Sequence, residues 1–233
     1  MKKIIIFLTI IMSTMSVSLC SANESMTKLL QSSLNQKNFT MAQRAIDNGA
    51  DVDAVMTSFV LYKEHDNVKF LLKNGANPNH SIRGRRGDLW TPVLSALDVG
   101  NLPILDSLLA AGGDLTKSVI DSSGKVQKTS LMVAIDIMNL PPGVTTEKLV
   151  KHLLIKGVNV NQTNSWGHTP LMATVTRFKY SRKNEGVAIA KLLLNAGVDP
   201  NAKDDRGQTA LDYAIHDNYS EMVELLFPIT KLN

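Results

Sequence analysis

Apolar and polar positions along this chain alternate in a pattern that recurs. Pairs of apolar residues are followed, after two intervening residues, by a glycine and then by short polar residues or proline. Glycine suits the left-handed turn that ends a helix, and Asp, Asn and Pro do not readily prolong one. Each of these pentapeptides therefore predicts the end of a helix. They lie at residues 49–53, 75–79, 112–116, 157–161 and 197–201.

A second recurring segment predicts where helices start. It begins with threonine, continues with proline or a small residue, and then places aliphatic residues and alanine where they would pack inward. Threonine caps a helix N-terminus, and proline fits the first helical turn. The four starts are at Thr91, Thr129, Thr169 and Thr209. Because starts and stops alternate, the sequence predicts a series of helix pairs.

In these starts the chain resembles the ankyrin repeat family, whose signature is a Thr-Pro-Leu-His-x-Ala segment and a period of about 33 residues. The resemblance covers roughly residues 25–230 and implies an all-α fold, an ankyrin-repeat solenoid of about six helix-turn-helix repeats with β-hairpin-like fingers. The signature histidine is absent from all four starts, where Leu94, Met132, Met172 and Asp212 replace it. Neighbouring repeats are therefore expected to be held together mainly by packing.

The repeats are uneven in length. In the repeats that start at Thr129 and Thr169, the distance from the threonine to the next leucine pair is seven residues longer than in the repeat that starts at Thr91. The excess falls near residues 140–143 and 179–183. Seven residues make about two helical turns, so both insertions are expected to extend along one edge of the array.

A targeting segment precedes the repeats. Lys2 and Lys3 stand before an apolar run at residues 4–12, and small polar residues follow it. The run is too short to span a bilayer, which takes about 20 apolar residues. The pattern predicts a secretory signal peptide, residues 1–22, ahead of an ankyrin repeat domain over residues 23–233.

The single cysteine, Cys20, leaves a second interpretation of this segment open. A lipoprotein would be anchored through Cys20, although Leu19 stands where a small residue is wanted. Cleavage after Ala22 would instead leave a chain without cysteine. Its fold would then be stabilised by its core, without disulfides. The two lysines and the compact apolar run favour a bacterial exporter, so the periplasm is the expected location. The cleaved chain would carry 23 basic and 21 acidic side chains, and this balance does not indicate binding to nucleic acid.

The sequence offers little catalytic chemistry. Its five histidines show no metal-ligand spacing and no cysteine accompanies them. It has no Gly-x-Ser-x-Gly elbow, and Gly124-Lys125 lacks the earlier glycine of a phosphate-binding loop. We therefore expect a protein that is not an enzyme and that uses no metal or cofactor.

The family resemblance implies binding of proteins through the fingers and inner helices. Long fingers are expected at residues 83–88 and 121–125, and almost none in the second repeat. Trp166 falls at a fingertip, where an exposed aromatic is typical of an interface anchor, although it could also pack on the next finger. Trp90 is expected to pack at a finger base. The candidate partner-binding residues are Arg83, Arg85, Arg86, Trp90, Lys125, Trp166, Lys179, Tyr180, Arg182 and Lys183.

Charge marks two of these segments. Arginines cluster on the first long finger, and Lys and Arg residues cluster at 177–183 with Glu185 as the one acid close in sequence. Such clusters are commonly no more than a solvated surface, but on enlarged loops they can also steer an acidic partner towards the protein.

Three functions compete at this point. The first is a periplasmic protein-binding module that inhibits or neutralises a protein such as a secreted antibacterial toxin, because small exported ankyrin proteins resemble the immunity proteins that do so. The second is a stress-protective periplasmic scaffold that binds a resident protein. The third, an enzyme with an unrecognised site, is disfavoured by the missing catalytic cluster. The partner is expected to be a protein, with no nucleic acid, and with membrane contact only if Cys20 is lipidated.

Overall fold

The structure, a computed structural model, describes residues 22–84, 86–137 and 140–230. The predicted signal peptide lies outside the described residues apart from Ala22, so neither cleavage nor lipidation of Cys20 is tested by it. The chain divides into two compact units, residues 1–77 and 78–233, and each is considered by itself.

The described part of the first unit forms two helix pairs. Helix α1 covers residues 22–35, and it is followed by α2 (Phe39–Asp47), α3 (Val52–Leu61) and α4 (His65–Lys73). The Asp51 side chain accepts hydrogen bonds from the N–H groups of Asp53 and Ala54, so the first pentapeptide runs directly into α3 as its cap. No room is left for a finger between them, as the short spacing of this repeat predicts.

The second unit adds four helix pairs and a small sheet. Its strands are β1 (Ile82–Arg83), β2 (Leu89–Trp90), β3 (Val119–Ile120) and β4 (Val126–Lys128). Its helices are α5 (Pro92–Asp98), α6 (Leu102–Ala110), α7 (Ser130–Ile135), α8 (Thr146–Ile155), α9 (Pro170–Phe178), α10 (Lys183–Asn195), α11 (Ala210–His216) and α12 (Ser220–Leu226). The strands are antiparallel in the order β1-β2-β3-β4. Helix pairs joined by hairpin fingers confirm the predicted fold.

The helix starts form for the predicted reason. Each of the four threonines is an N-cap whose hydroxyl accepts a hydrogen bond from the N–H three residues later. Pro92 and Pro170 occupy the first turns of α5 and α9, where a missing N–H is harmless. The glycines that lead the five pentapeptides all have positive φ, which ends the preceding helices.

The helices of the second unit pack in two rows. The first helices of successive pairs, α5, α7, α9 and α11, contact one another in order, and α8, α10 and α12 form the second row. One aliphatic position two residues after each capping threonine is 0 to 1% exposed and fills the space between rows. It is occupied by Val93, Leu131, Leu171 and Leu211. Burial of such a side chain stabilises the fold by about 1.5–3 kcal/mol.

Polar side chains also join neighbouring repeats, in addition to the packing that the sequence predicts. The amide of Asn79 donates to the Gly112 carbonyl at 2.9 Å and accepts from the Asp114 N–H at 2.8 Å. Asn161 forms the same two bonds with Gly197 and Asp199, at 3.1 and 2.9 Å. Each asparagine ends one pentapeptide and satisfies backbone groups of the next, so it bridges neighbouring repeats.

The two insertions are used differently. In the repeat that starts at Thr129, α7 has only 6 residues, and the excess lies in the connection before α8. In the repeat that starts at Thr169, α9 has 9 residues and α10 has 13, against 7 in α5 and 9 in α6. The first insertion therefore lengthens the connection between its helices, whereas the second lengthens both helices of its repeat and gives them a larger contact.

Gly186 allows α9 and α10 to approach closely. A Cβ at this position would lie 2.6 Å from Phe178 Cβ and 2.5 Å from the Tyr219 hydroxyl. We predict that Gly186→Ala lowers the free energy of unfolding by about 1–3 kcal/mol, because overpacking outweighs the helix propensity gained over glycine. Urea unfolding of the two proteins would measure the difference. Asn184→Ala, at an exposed position of the same helix, should change stability by less than about 0.5 kcal/mol. Equal or higher stability of Gly186→Ala would contradict the close packing.

Candidate functional site

Four five-residue turns form the tips of the fingers. In each, the N–H of the first residue donates to the carbonyl of the fifth, and the N–H of the fourth donates to the carbonyl of the first. The fourth residue is always a glycine with φ between +73° and +83°, a conformation that other residues rarely adopt. The turns are Gly84–Asp88, Asp121–Lys125, Asn164–His168 and Asp204–Gln208.

A side chain closes three of these turns. The Oδ1 atoms of Asp121, Asn164 and Asp204 each accept the N–H groups two and four residues later, at 2.8 to 3.0 Å. Hydrogen bonds from the Ser123 hydroxyl, the Lys125 N–H and others lower the pKa of Asp121 to about 2. Sequence reasoning missed these residues, although an Asp or Asn three positions before a glycine is a readable signal of such a turn. In the last two turns this residue also lies five positions before a capping threonine.

Backbone contacts join successive fingers into one row. Leu89 of β2 pairs with Ile120 of β3. The Ser165 N–H donates to the Val126 carbonyl at 2.9 Å, and its hydroxyl accepts from the Val126 N–H at 2.8 Å. The Asp205 N–H donates to the Trp166 carbonyl at 3.1 Å. Because each finger is fixed to the next, the side chains on this row are held in a defined order.

A groove of about 380 Å³ lies between the fingers and the first-row helices. The fingers contribute the walls Gln127, Lys128, Asn164 and His168. Helices α7 and α9 contribute the floor and the far side, which consist of Met132, Ile135, Asp136, Ala173, Thr176 and Arg177. We call this the finger-helix groove. Met132 and Ile135 are buried, whereas the other four helix residues are half-buried, so a bound group would meet a mainly polar lining.

The charges of this groove are internally paired. Asp136 contacts the Lys128 ammonium and lies 3.4 Å from Arg177 Nε. Arg177 also donates to the carbonyl of Ile137 at 3.3 Å. Asp98 occupies the position in the preceding repeat that Asp136 occupies in its own, and it is exposed. Partial desolvation by the surrounding protein nevertheless raises the pKa of Asp98. The positive charge of Lys128 opposes this increase, and the negative charge of Asp136 adds to it.

A second depression of about 340 Å³ lies beside the groove and shares His168 with it. It is bounded by Trp166, His168, Asp204, Asp205, Arg206 and Tyr213, and we call it the Trp166 cleft. Trp166 is 40% exposed there, which makes it one of the large apolar side chains that the fold leaves accessible.

A hydrogen-bonded network forms the base of the Trp166 cleft. The Tyr213 hydroxyl donates to Asp204 Oδ2 at 2.6 Å, and His168 Nε2 lies 3.0 Å from that hydroxyl and 3.3 Å from Oδ2. Burial, together with the bond to the carboxylate, raises the pKa of Tyr213 to about 12. Burial disfavours an ionised Asp204, but hydrogen bonds from Tyr213 and from the N–H groups of Gln208 and Arg206 outweigh it and lower its pKa. Asp204 is therefore ionised at neutral pH.

Comparison with known proteins agrees with this geometry. Residues 144–233 match the family model for ankyrin repeats in three copies. Over 79 residues the chain is 38% identical to YahD, a protein of Escherichia coli (strain K12) named for its ankyrin repeats, and the match spans 34% of this chain and 38% of that protein. Residues 144–233 of the chain therefore belong to the ankyrin repeat family. Ankyrin repeats mediate protein–protein interaction and generally serve as non-enzymatic binding scaffolds.

The candidate residues on the fingers of this ankyrin repeat protein occupy two kinds of position. Arg83, Arg86 and Lys125 are exposed near the first two fingertips, and Arg85 lies outside the described residues. Trp90 is half-buried, and its indole N–H donates to Asp88 Oδ2 at 2.5 Å, so it fastens the first finger as expected of a base residue.

The candidates at the second insertion are paired with acids that the sequence does not place nearby. Lys179 binds Asp217 at 3.0 Å, Lys183 lies 3.7 Å from Glu221, and Arg182 contacts Glu185. The expectation that Glu185 alone opposes this cluster is therefore wrong. Tyr180 is 85% exposed, with the Lys179 ammonium 4.8 Å from its ring centre. Helix α9 separates these residues from Trp166 by about 13 Å of helix length.

The lining of the two depressions is aromatic, charged and polar. No group of three or more metal-ligating side chains occurs among the described residues. None of the helices in the described part of the chain has the length and apolar character needed to cross a membrane. His168, Tyr213 and Asp204 satisfy one another at the base of the cleft, in an arrangement that holds the last two fingers together.

We predict that Asp204→Asn lowers the free energy of unfolding by about 2 kcal/mol at pH 7, because charge-assisted hydrogen bonds converge on this buried carboxylate. The folded-state pKa of Asp204 lies below its unfolded value of about 3.9. Its contribution is therefore present above that value and lost as the pH falls through the folded-state pKa. The difference between wild type and variant, measured by urea unfolding, should shrink between pH 5 and pH 2 (roughly the range in which such a carboxylate titrates).

Asp205→Asn provides the matched control, since Asp205 is the exposed neighbour in the same turn. Its effect on stability should stay within about 0.5 kcal/mol. A difference between wild type and Asp204→Asn that stays constant in acid would contradict the role of the charge.

Proposed function

We propose that this ankyrin repeat protein is a non-enzymatic module that holds a protein partner along its row of fingers and in the finger-helix groove. The observation that carries the proposal is the exposed Trp166, which lines the Trp166 cleft together with His168, the residue that the cleft shares with the groove. Tryptophan, tyrosine and arginine dominate the energetics of protein interfaces when they sit centrally among polar neighbours.

The rigidity of the finger row supports a protein partner. Side-chain-closed turns and finger-to-finger hydrogen bonds fix Trp166 and His168 before any partner arrives. A preorganised surface loses little conformational entropy on binding, so more of the contact energy contributes to affinity. The two depressions are open and lined by mixed charge, which suits protruding side chains of another protein.

The finer part of the proposal concerns location and role. The lysine pair and apolar run at the N-terminus support export to the periplasm, and an exported binding module of this kind suits the neutralisation of a secreted antibacterial toxin. A stress-protective scaffold would use the same surface on a resident envelope protein. Affinity capture from the native cell distinguishes the two through the class of protein recovered.

The captured partner allows a test of where it binds. We predict that Trp166→Ala increases the dissociation rate by about 30-fold, as expected when a central aromatic anchor worth about 2 kcal/mol is lost. Tyr180→Ala is the matched aromatic variant beyond the other end of α9 and should leave the rate within about twofold. Surface plasmon resonance on both variants would measure this. The reverse order of effects would move the binding site to the second insertion.

Charge at the fingertips should act on association. Reversal of Arg86 and Lys125 to Glu is expected to slow association with an acidic partner and to weaken its salt dependence, because exposed rim charges steer encounter. Lys183→Glu provides the comparison, since Lys183 already faces Glu221. Equal effects of the two changes would show that local charge at the first fingers has no special role.

Export gives an independent prediction. Protein recovered from the periplasm should begin near Asn23, because cleavage is expected after Ala22. N-terminal sequencing would establish this, and Leu8→Asp, which interrupts the apolar run, should leave the full-length chain inside the cell. Recovery of intact Met1 from the wild type would refute cleavage. A lipid on Cys20 would instead support the anchored form.

A further inference from the structure

The Trp166 cleft is a preformed site with fixed walls. A Cβ at Gly167 would lie 3.0 Å from Asp204 Cα and 3.2 Å from Asp205 Oδ1, so the turn that carries Trp166 is pressed against the next one. The Trp166 carbonyl also accepts the Asp205 N–H. These contacts fix the tryptophan relative to the carboxylates on the neighbouring finger.

Aromatic surfaces and negative charge converge in this cleft. The His168 and Tyr213 rings meet edge to face, with centres 5.4 Å apart, and Trp166 lies along the same depression. Asp204 lies beneath the rings, and Asp205 is exposed at the margin. Arg206 is the single opposing cation among the lining residues. Aromatic faces attract cations through their quadrupole, tryptophan most strongly, and nearby carboxylates add to that attraction.

The chain does not fill this site with an ion pair of its own. Among the described residues no ion pair involves Asp205, whereas the lysines and arginine of the second insertion are each paired with a separate acid. The cleft thus keeps an exposed carboxylate next to an exposed tryptophan.

We propose that the Trp166 cleft binds a lysine or arginine side chain of the protein partner. The cation would lie against the Trp166 ring with Asp205 as its counter-ion, and the ionised Asp204 beneath the rings would contribute at longer range. The inference rests on the proposed function, and it adds the chemistry of the group that the partner must present.

The test uses short capped peptides, so it does not depend on isolation of a partner. The full chain contains two tryptophans, and their indole N–H signals can be assigned in a nitrogen–proton correlation spectrum with Trp166→Phe. The protein is titrated at constant ionic strength with Ac-Gly-Lys-Gly-NH₂, with the norleucine peptide as a neutral match and with the glutamate peptide as an opposite charge. Concentrations up to about 50 mM cover the weak affinity expected of one side chain.

The lysine peptide should shift the Trp166 signal in a saturable manner and bind at least about threefold more tightly than the norleucine peptide, as expected for an exposed cation–π contact. Asp205→Asn should weaken lysine binding by a similar factor, whereas Glu224→Gln, at an exposed acid on α12, should not. Circular dichroism and urea unfolding confirm that the variants remain folded.

Equal binding of the lysine and norleucine peptides, tighter binding of the glutamate peptide, or an unchanged affinity in Asp205→Asn would overturn the proposal. The absence of any saturable shift would do the same. None of these results bears on whether the fingers hold a protein, because capture and the Trp166→Ala kinetics test that separately. Loss of partner binding in Trp166→Ala together with indifference to the lysine peptide would mean that the tryptophan anchors an apolar group.

Discussion

The fold depends on side-chain hydrogen bonds to the backbone at the joints between helices. Short helices, several of only six or seven residues, cannot be stable alone, and their ends leave many N–H and C=O groups without partners. Threonine caps satisfy the starts, the Asn79 and Asn161 amides satisfy the pentapeptides, and an Asp or Asn closes each of the last three finger turns. Each bond contributes only about 1 kcal/mol, but together they fix the spacing at which the buried leucines of adjacent repeats can interdigitate.

The parts of this architecture that follow from local rules could be predicted from the sequence. Threonine caps and glycine stops depend on conformational preferences within a few residues, so their positions agree with the structure. The asparagine bridges could not be predicted in the same way, because each joins residues 33 to 38 positions apart in the chain. The unequal structure of the two insertions could not be predicted either. The close packing of the longer helices at Gly186 becomes evident only when Phe178 and Tyr219 are known to lie against this glycine.

The candidate site shows the same division. The family resemblance predicts Trp166 at a fingertip, and the structure locates it on the turn of the fifth repeat, partly exposed. Charge was misjudged because sequence proximity says little about ion pairs in a repeat array. Lys179 and Asp217 are 38 residues apart, yet equivalent positions of successive repeats bring them to 3.0 Å. A basic stretch in a repeat protein should therefore be compared with acids one repeat away before it is read as an exposed patch.

A consequence for recognition follows from the repeat geometry. The side chains of the first residues close the last two finger turns, and the bond between these turns joins backbone groups, so the side chains of Trp166 and Asp205 can differ without loss of those bonds. Asn164 and Asp204, in the same two turns, are committed to closing them. The site can thus combine an exposed aromatic side chain with an exposed carboxylate on a rigid base. Closure of the two five-residue finger turns and the proposed recognition depend on different residues of those turns.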